Sequence, residues 1–245
     1  MMSKRKAVII LLLIAITFFH GKNLVNAEEI FFTNKNGVSM TEKEYNFFRE
    51  MYNDNYPKII PQDVYDIFKN GNYFDGNIRV NTYTEDTNPN TRGTFHSTAN
   101  KSIRIAASCT TTCAIAVSAK WINNPTIRSY DVIGAYLYNV STIGSISTQA
   151  ASNTKNVFAT STKRQTNGHG ASILLPSGSN IGIFQTFTTN KGGKIYASYH
   201  HAMKNTTLAV SQQFNVSTLG YGNVFKFYGD AANIYDNMNG VDIDV

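Results

Sequence analysis

From Asn77 onward the chain is a succession of short runs rich in β-branched and aromatic residues, divided by Gly, Asn, Ser and Thr. No apolar repeat of helical period intervenes between them. Such a texture folds into antiparallel sheet, because parallel strands need crossover connections of a dozen or more residues, usually a helix. The runs fall at 77–83, 101–109, 113–121, 130–140, 156–161, 171–175, 181–189, 194–203, 206–216 and 223–229. Within 113–121, Ile115, Val117 and Ala119 alternate with Ala116, Ser118 and Lys120. Within 194–203, Ile195, Ala197, Tyr199 and His201 alternate with Tyr196, Ser198 and His200. Period two places each set on one face of a strand. Lys191-Gly192-Gly193-Lys194 has the composition of a hairpin turn joining 181–189 to 194–203. The pattern predicts a mainly β protein, an antiparallel β-sandwich, with a barrel as the alternative.

Cys109 and Cys113 fit this reading. Four residues apart in one extended strand they would stand roughly 13 Å from each other, beyond the reach of a disulfide. A three-residue hairpin loop at Thr110–Thr112 brings them face to face. The closed loop is small, so its stabilisation is about 2 kcal/mol or less. CxxxC is not a metal signature, and no metal or cofactor is expected.

Residues 28–75 read as a short two-helix N-terminal appendage. Thr41-Glu42-Lys43-Glu44 is a capping box, and Tyr45, Phe48 and Tyr52 recur at helical spacing behind it. A second helix is placed with Pro61 in its first turn, a stripe of Val64, Tyr65, Ile67 and Phe68, and Gly71 as its stop. Residues 40–48 and 60–68 align without gaps, with identity at Tyr45/Tyr65 and Phe48/Phe68. Helices this short must bury their stripes on each other or on the body.

The first 27 residues set the compartment. Lys4, Arg5 and Lys6 precede an apolar run from Ala7 to Phe19, and a polar stretch ends Val25-Asn26-Ala27. This is the plan of a secretory signal peptide, and the run is too short for a comfortable membrane span of roughly 20 residues. The expected organisation is therefore signal peptide 1–27, two-helix region 28–75 and β-sandwich 76–245, in a secreted, extracellular protein.

Charge narrows the function. The formal +6 falls to +2 once Lys4, Arg5, Lys6 and Lys22 leave with the leader, and no nucleic-acid partner is expected. Residues 28–70 carry eight acids against five bases, and no Asp or Glu lies between Asp131 and Asp230. An acidic helical region beside a basic body either docks by complementarity or presents two solvated surfaces. Glycoside hydrolysis needs two close carboxylates, and the acid-free interval removes most of the body from candidacy. Asp131 has Asp230 or Asp75 as partners in principle. Asp236, Asp242 and Asp244 read as loop and tail. His200 and His201 point to opposite faces of a strand and cannot chelate one metal together; no HExxH and no GxSxG occurs. No catalytic residue is assigned, and the protein is read as non-enzymatic.

Binding is the remaining class. Trp121 and Tyr130 offer amphipathic rings to sugars, and Lys163, Arg164, Lys191 and Lys194 offer charge to an anionic wall polymer. Those six are the candidate ligand residues for a cell surface, wall polymer or extracellular glycan. The alternative is a membrane-active toxin or bacteriocin-type factor on an anionic membrane. In that version 28–70 inhibits, and the alternating, nearly uncharged Ser141–Gly170 inserts.

The stretch Asn36–Tyr45 and the second helix resemble a module of exported, mostly uncharacterised proteins of low-GC Gram-positive bacteria. They are also similar to leader regions of clostridial bacteriocin precursors. The resemblance covers about 34–70 and brings no catalytic residue. It implies release of an active peptide from the C-terminal end, yet Leu219–Val245 is not a cationic amphipathic helix.

Overall fold

The structure is a computed structural model that describes residues 30–80, 95–97, 100–217, 223–236, 238 and 240–245. The signal peptide assigned to 1–27 lies outside the described residues. A two-residue ribbon, β1 (Phe32–Thr33) with β2 (Ser39–Met40), leads into α1 (Glu42–Met51) and α2 (Gln62–Asn70). The strands β3 (Asn77–Arg79), β4 (Phe95–Ser97), β5 (Lys101–Cys109), β6 (Cys113–Trp121) and β7 (Tyr130–Tyr138) follow. Next come β8 (Thr142–Ala151), β9 (Asn156–Phe158), β10 (Thr162–Gln165), β11 (Gly168–Leu174), β12 (Gly182–Thr189) and β13 (Lys194–His200). The chain closes with a single helical turn α3 (Leu208–Ser211), the ribbon β14 (Phe214–Val216) and β15 (Phe225–Phe227), and β16 (Val241–Asp244).

Seven strands form one sheet, in the order β3-β5-β6-β12-β8-β9 with β4 also on β5, and five form the other, β10-β11-β7-β13-β16. The pairings are antiparallel. The sheets do not close on each other, so the fold is a β-sandwich and not a barrel. Cys109 and Cys113 are register partners across the Thr110–Thr112 loop and are disulfide-bonded.

Each face of each sheet has its own partner. Between the sheets lie Ile103, Ile105, Ile115 and Val117 against Ile133, Ala135, Ile195, Ala197 and Tyr199. The back of the larger sheet presents Ala106, Ala114, Ala116 and Phe184 to the helices. The back of the smaller sheet carries Val132 against Phe214, Phe225 and Tyr235. The alanines of β5 and β6 are what let large rings sit close. Tyr52 and Tyr56 stack with centroids 3.9 Å apart, and Tyr56 lies 4.4 Å from Phe184. Phe48 and Phe68, the identical positions of the weak repeat, meet at 5.1 Å. The junction is pinned by the Tyr52 hydroxyl on Thr186 and by Gln149 Nε2 donating to the Ile59 carbonyl at 3.1 Å. The capping box is formed: Glu44 N–H donates to Thr41 Oγ1 at 3.3 Å, and Thr41 N–H to Glu44 Oε2 at 2.9 Å. Pro61 is the cap of α2, one residue ahead of the first-turn position expected for it.

Three local expectations are corrected. Lys191–Lys194 is not a hairpin turn, because β12 pairs with β6 and β8 while β13 pairs with β7 and β16. It is a crossing between sheets. Gly192 takes φ +98° there, and Gly192 N–H donates to the Val245 carbonyl at 2.7 Å instead of across a hairpin. A side chain at Gly193 would stand 2.2 Å from the Tyr138 carbonyl, which holds that position to glycine. Segment 206–216 is not one strand, since Thr207 caps a helical turn through Val210 N–H at 3.3 Å before β14 begins. The C-terminal residues are not a tail: Asp242 and Asp244 lie in β16, paired with β13, and both reach Lys194. Strand β8, at the start of the segment suspected of membrane insertion, pairs with β12 on one side and β9 on the other. No helix among the described residues is long and apolar enough to cross a membrane.

His169 on β11 is enclosed between the sheets, with its ring 4.5 Å from that of Phe187. Burial disfavours the imidazolium and pushes its pKa from 6.5 down to about 3. Between those values the unfolded chain binds a proton that the fold refuses, so stability is lost as pH falls from 6.5 towards 3. Urea titrations across that interval should show a shallower pH slope for His169→Gln than for the parent chain.

Candidate functional site

Alternation carries polar residues inward at one end of the sandwich. Lys101 shares its face with Ile103 and Ile105, Asp131 with Ile133 and Ala135, and Tyr199 with Ile195 and Ala197. These are residues at the start of β5, the start of β7 and the end of β13, and Trp121 closes β6 opposite Lys101 in register. This end of the sandwich thus encloses charged groups that burial forces into partnership.

Asp131 is fully enclosed. His201 Nδ1 lies 3.0 Å from its Oδ1, Ala202 N–H donates to Oδ1 at 3.0 Å, and the Tyr199 hydroxyl donates to Oδ2. Trp121 Nε1–H donates in turn to the Tyr199 hydroxyl at 2.9 Å. Burial raises the Asp131 carboxyl above the usual carboxylate range, and the bonds from His201, Tyr199 and Ala202 oppose the rise. The Tyr199 phenol is pushed well above its ordinary value by burial and by Asp131 beside it. His200 faces the other way, as adjacent strand residues must. Its Nδ1 is 2.7 Å from the Asp236 carbonyl oxygen and its Nε2 is 3.1 Å from Asn223 Oδ1, and burial lowers its pKa.

An ion pair sits beside this cluster. Lys101 Nζ contacts Asp236 Oδ2, with side-chain exposures of 5% and 25%. The ammonium also lies 5.0 Å from the Tyr199 ring centroid and 5.7 Å from that of Trp121. Burial lowers the Lys101 pKa, and Asp236 and Asp131 pull it back. The outer boundary of this cluster is a groove of about 420 Å³ lined by Asn100, Lys101, Trp121, Asn123, Asn124, Pro125, Thr126, Ile127, His201, Met203, Asp236 and Met238. Its volume falls within the roughly 300–1,000 Å³ of small-ligand sites.

The six ligand residues expected from sequence do not gather. Trp121 lines the groove, and Tyr130, half-buried, is nearby in sequence with its carbonyl bonded by the Tyr235 hydroxyl at 2.9 Å. Lys163 is spent on the Gln212 and Phe214 carbonyls at 3.2 and 2.7 Å, and Arg164 on the Gly144 carbonyl at 2.6 Å. Lys194 pairs with Asp242 at 3.0 Å, at the start of β13, and Lys191 is exposed in the crossing before it. Lys101, Asn123, Asn124 and Asp236 line the groove as well, beyond the six residues expected from sequence. Lys101 and Asp131 had a readable signal, a charge at an inward register position of a strand. Asp236 had none, since it follows a 3-10 turn, Gly229–Asn233, that sequence leaves as loop. No group of three or more His, Cys, Asp or Glu fit to hold a metal occurs among the described residues.

No family model and no curated protein matches the chain. The resemblance of 34–70 to bacteriocin leader regions therefore finds no support there. Among solved structures, one similar chain is the collagen binding domain of the Erysipelothrix rhusiopathiae surface protein RspB. Identity is 8% and the TM-score 0.32, with 58% of this chain and 48% of that chain covered. This chain spans about half the length of that structure, and at such a score the likeness decides neither fold nor function.

Asp131→Ala removes the buried acceptor of the Tyr199 hydroxyl and the Ala202 N–H and the partner of the His201 ring. The expected loss is about 3–5 kcal/mol, the magnitude for removing one member of a buried ionic network, and urea unfolding measures it.

Proposed function

We propose that the chain is a secreted, non-catalytic protein that binds an extracellular polysaccharide, a wall polymer or other glycan, in the groove beside Trp121. Export is supported by the plan of residues 1–27 and by the Cys109–Cys113 disulfide, which suits an oxidising compartment. One observation carries the binding reading: Trp121 and three side-chain amides, Asn100, Asn123 and Asn124, line a single groove with His201. Sugars are held by that combination, an amphipathic ring against the C–H face and amides matched to hydroxyls. Lys163 and Lys194, already bonded within the fold, are a poorer basis for recognition than this groove.

Trp121 is the single tryptophan of the chain, so its emission reports on the groove alone. Titration with soluble wall polysaccharide should shift that emission, and Asn123→Ala with Asn124→Ala should weaken binding about tenfold, or ~1.4 kcal/mol. Affinity should persist near 1 M salt, where screening acts beyond about 3 Å. Binding that vanishes with salt would return the role to the lysines.

Hydrolysis is a second reading, favoured by His201 holding its Nδ1 on Asp131 at the groove, the orientation of a general-base pair. Release of reducing ends from the bound polymer, abolished in His201→Ala with binding retained, would establish it.

A further inference from the structure

Lys101 and Asp236 lie 135 residues apart in sequence, yet Nζ of one rests on Oδ2 of the other in a site that admits little water. The remaining contacts of both groups are directional. Asp236 Oδ1 accepts the His201 backbone N–H at 3.0 Å, so one carboxylate oxygen is held by a fixed dipole and the other faces the amine. Lys101 Nζ also lies 5.7 Å from the Trp121 ring centroid and 5.0 Å from that of Tyr199, two rings that bound the space around it. We infer that Lys101 and Asp236 condense into an intramolecular isopeptide bond.

The step balances without any outside reagent. The Nζ–Cγ bond forms and the Cγ–Oδ2 bond breaks. Two protons of the ammonium leave with Oδ2 as water, and the third stays on the amide nitrogen. Attack requires the free amine, and desolvation favours it by lowering the Lys101 pKa. Negative charge developing on Oδ1 in the tetrahedral intermediate meets the His201 N–H, a donor already in place. Asp131 and His201, bonded to each other at 3.0 Å, are the neighbouring groups able to exchange a proton during the collapse. In water an amine and a carboxylate do not condense at useful concentration. Two groups held in contact react as though at an effective molarity of about 10⁵–10⁸ M. The product also removes two charges that burial disfavours.

The bond would be a second covalent link, far larger in span than the disulfide, joining the start of β5 in one sheet to the segment ahead of β16 in the other. It leaves the amide rim of the groove intact, so its presence and polysaccharide binding are separate questions.

The test is the intact mass of the folded, reduced protein beside that of Lys101→Arg prepared identically, followed by tryptic mapping. Arginine keeps the charge for Asp236 but does not form the amide. The expected result is a parent chain lighter by one water than its sequence requires, no cleavage after Lys101, and a branched peptide containing residues 101 and 236. Lys101→Arg should show its full mass. A parent chain of full mass overturns the inference, whether or not the variant folds. So does a lost water with Lys101 still cleaved, which would mark a cyclised side chain or terminus elsewhere.

Discussion

The carboxylate of Asp131 is the constraint around which one end of this molecule is organised. A carboxyl group with no access to solvent must find its hydrogen-bond partners within the fold. Here they are a phenol, an imidazole and a backbone N–H, drawn from β13 and the residues just beyond it. The phenol is itself fixed by the indole of β6. One acid therefore sets the position of Trp121, Tyr199 and His201, and with them the inner wall of the groove. The Lys101–Asp236 pair lies against the same rings, so the groove is the outer surface of a single polar cluster with strands from both sheets.

A different economy governs the middle of the molecule. The larger sheet is covered on both faces, by branched aliphatic residues of the opposite sheet and by the rings of α1, α2 and their flanking turns. Alternation of Ile or Val with Ala along β5 and β6 suits this division. Large side chains fill the interior between sheets, and small ones admit Tyr52, Tyr56 and Phe48 on the other side. The helices are thereby a structural layer whose attachment rests on aromatic packing.

Strands with strong alternation were legible, and 101–109 and 113–121 match β5 and β6 residue for residue. The disulfide hairpin and the capping box were legible too, because each is a local rule with its partners a few residues apart. Strand β8 escaped because Thr142–Ser147 is largely polar and exposed, and only its later half enters the core. The Lys191–Lys194 sequence does not distinguish a hairpin from a crossing, because a Gly-Gly turn obeys the same backbone rule whether it joins neighbours in one sheet or passes to another. Of the site, the inward register of Lys101 and Asp131 could be read, whereas their partners could not. Asp236 and His201 meet them only through pairings between segments far apart in sequence.

The helices also fix an order of assembly. They are made early, yet the surface they need includes Phe184 on β12, more than a hundred residues later. Helices of nine and ten residues have little stability alone. A segment that emerges early is thus among the last to find its place, and until β12 arrives its rings stay accessible to solvent and to any chaperone or protease that meets them.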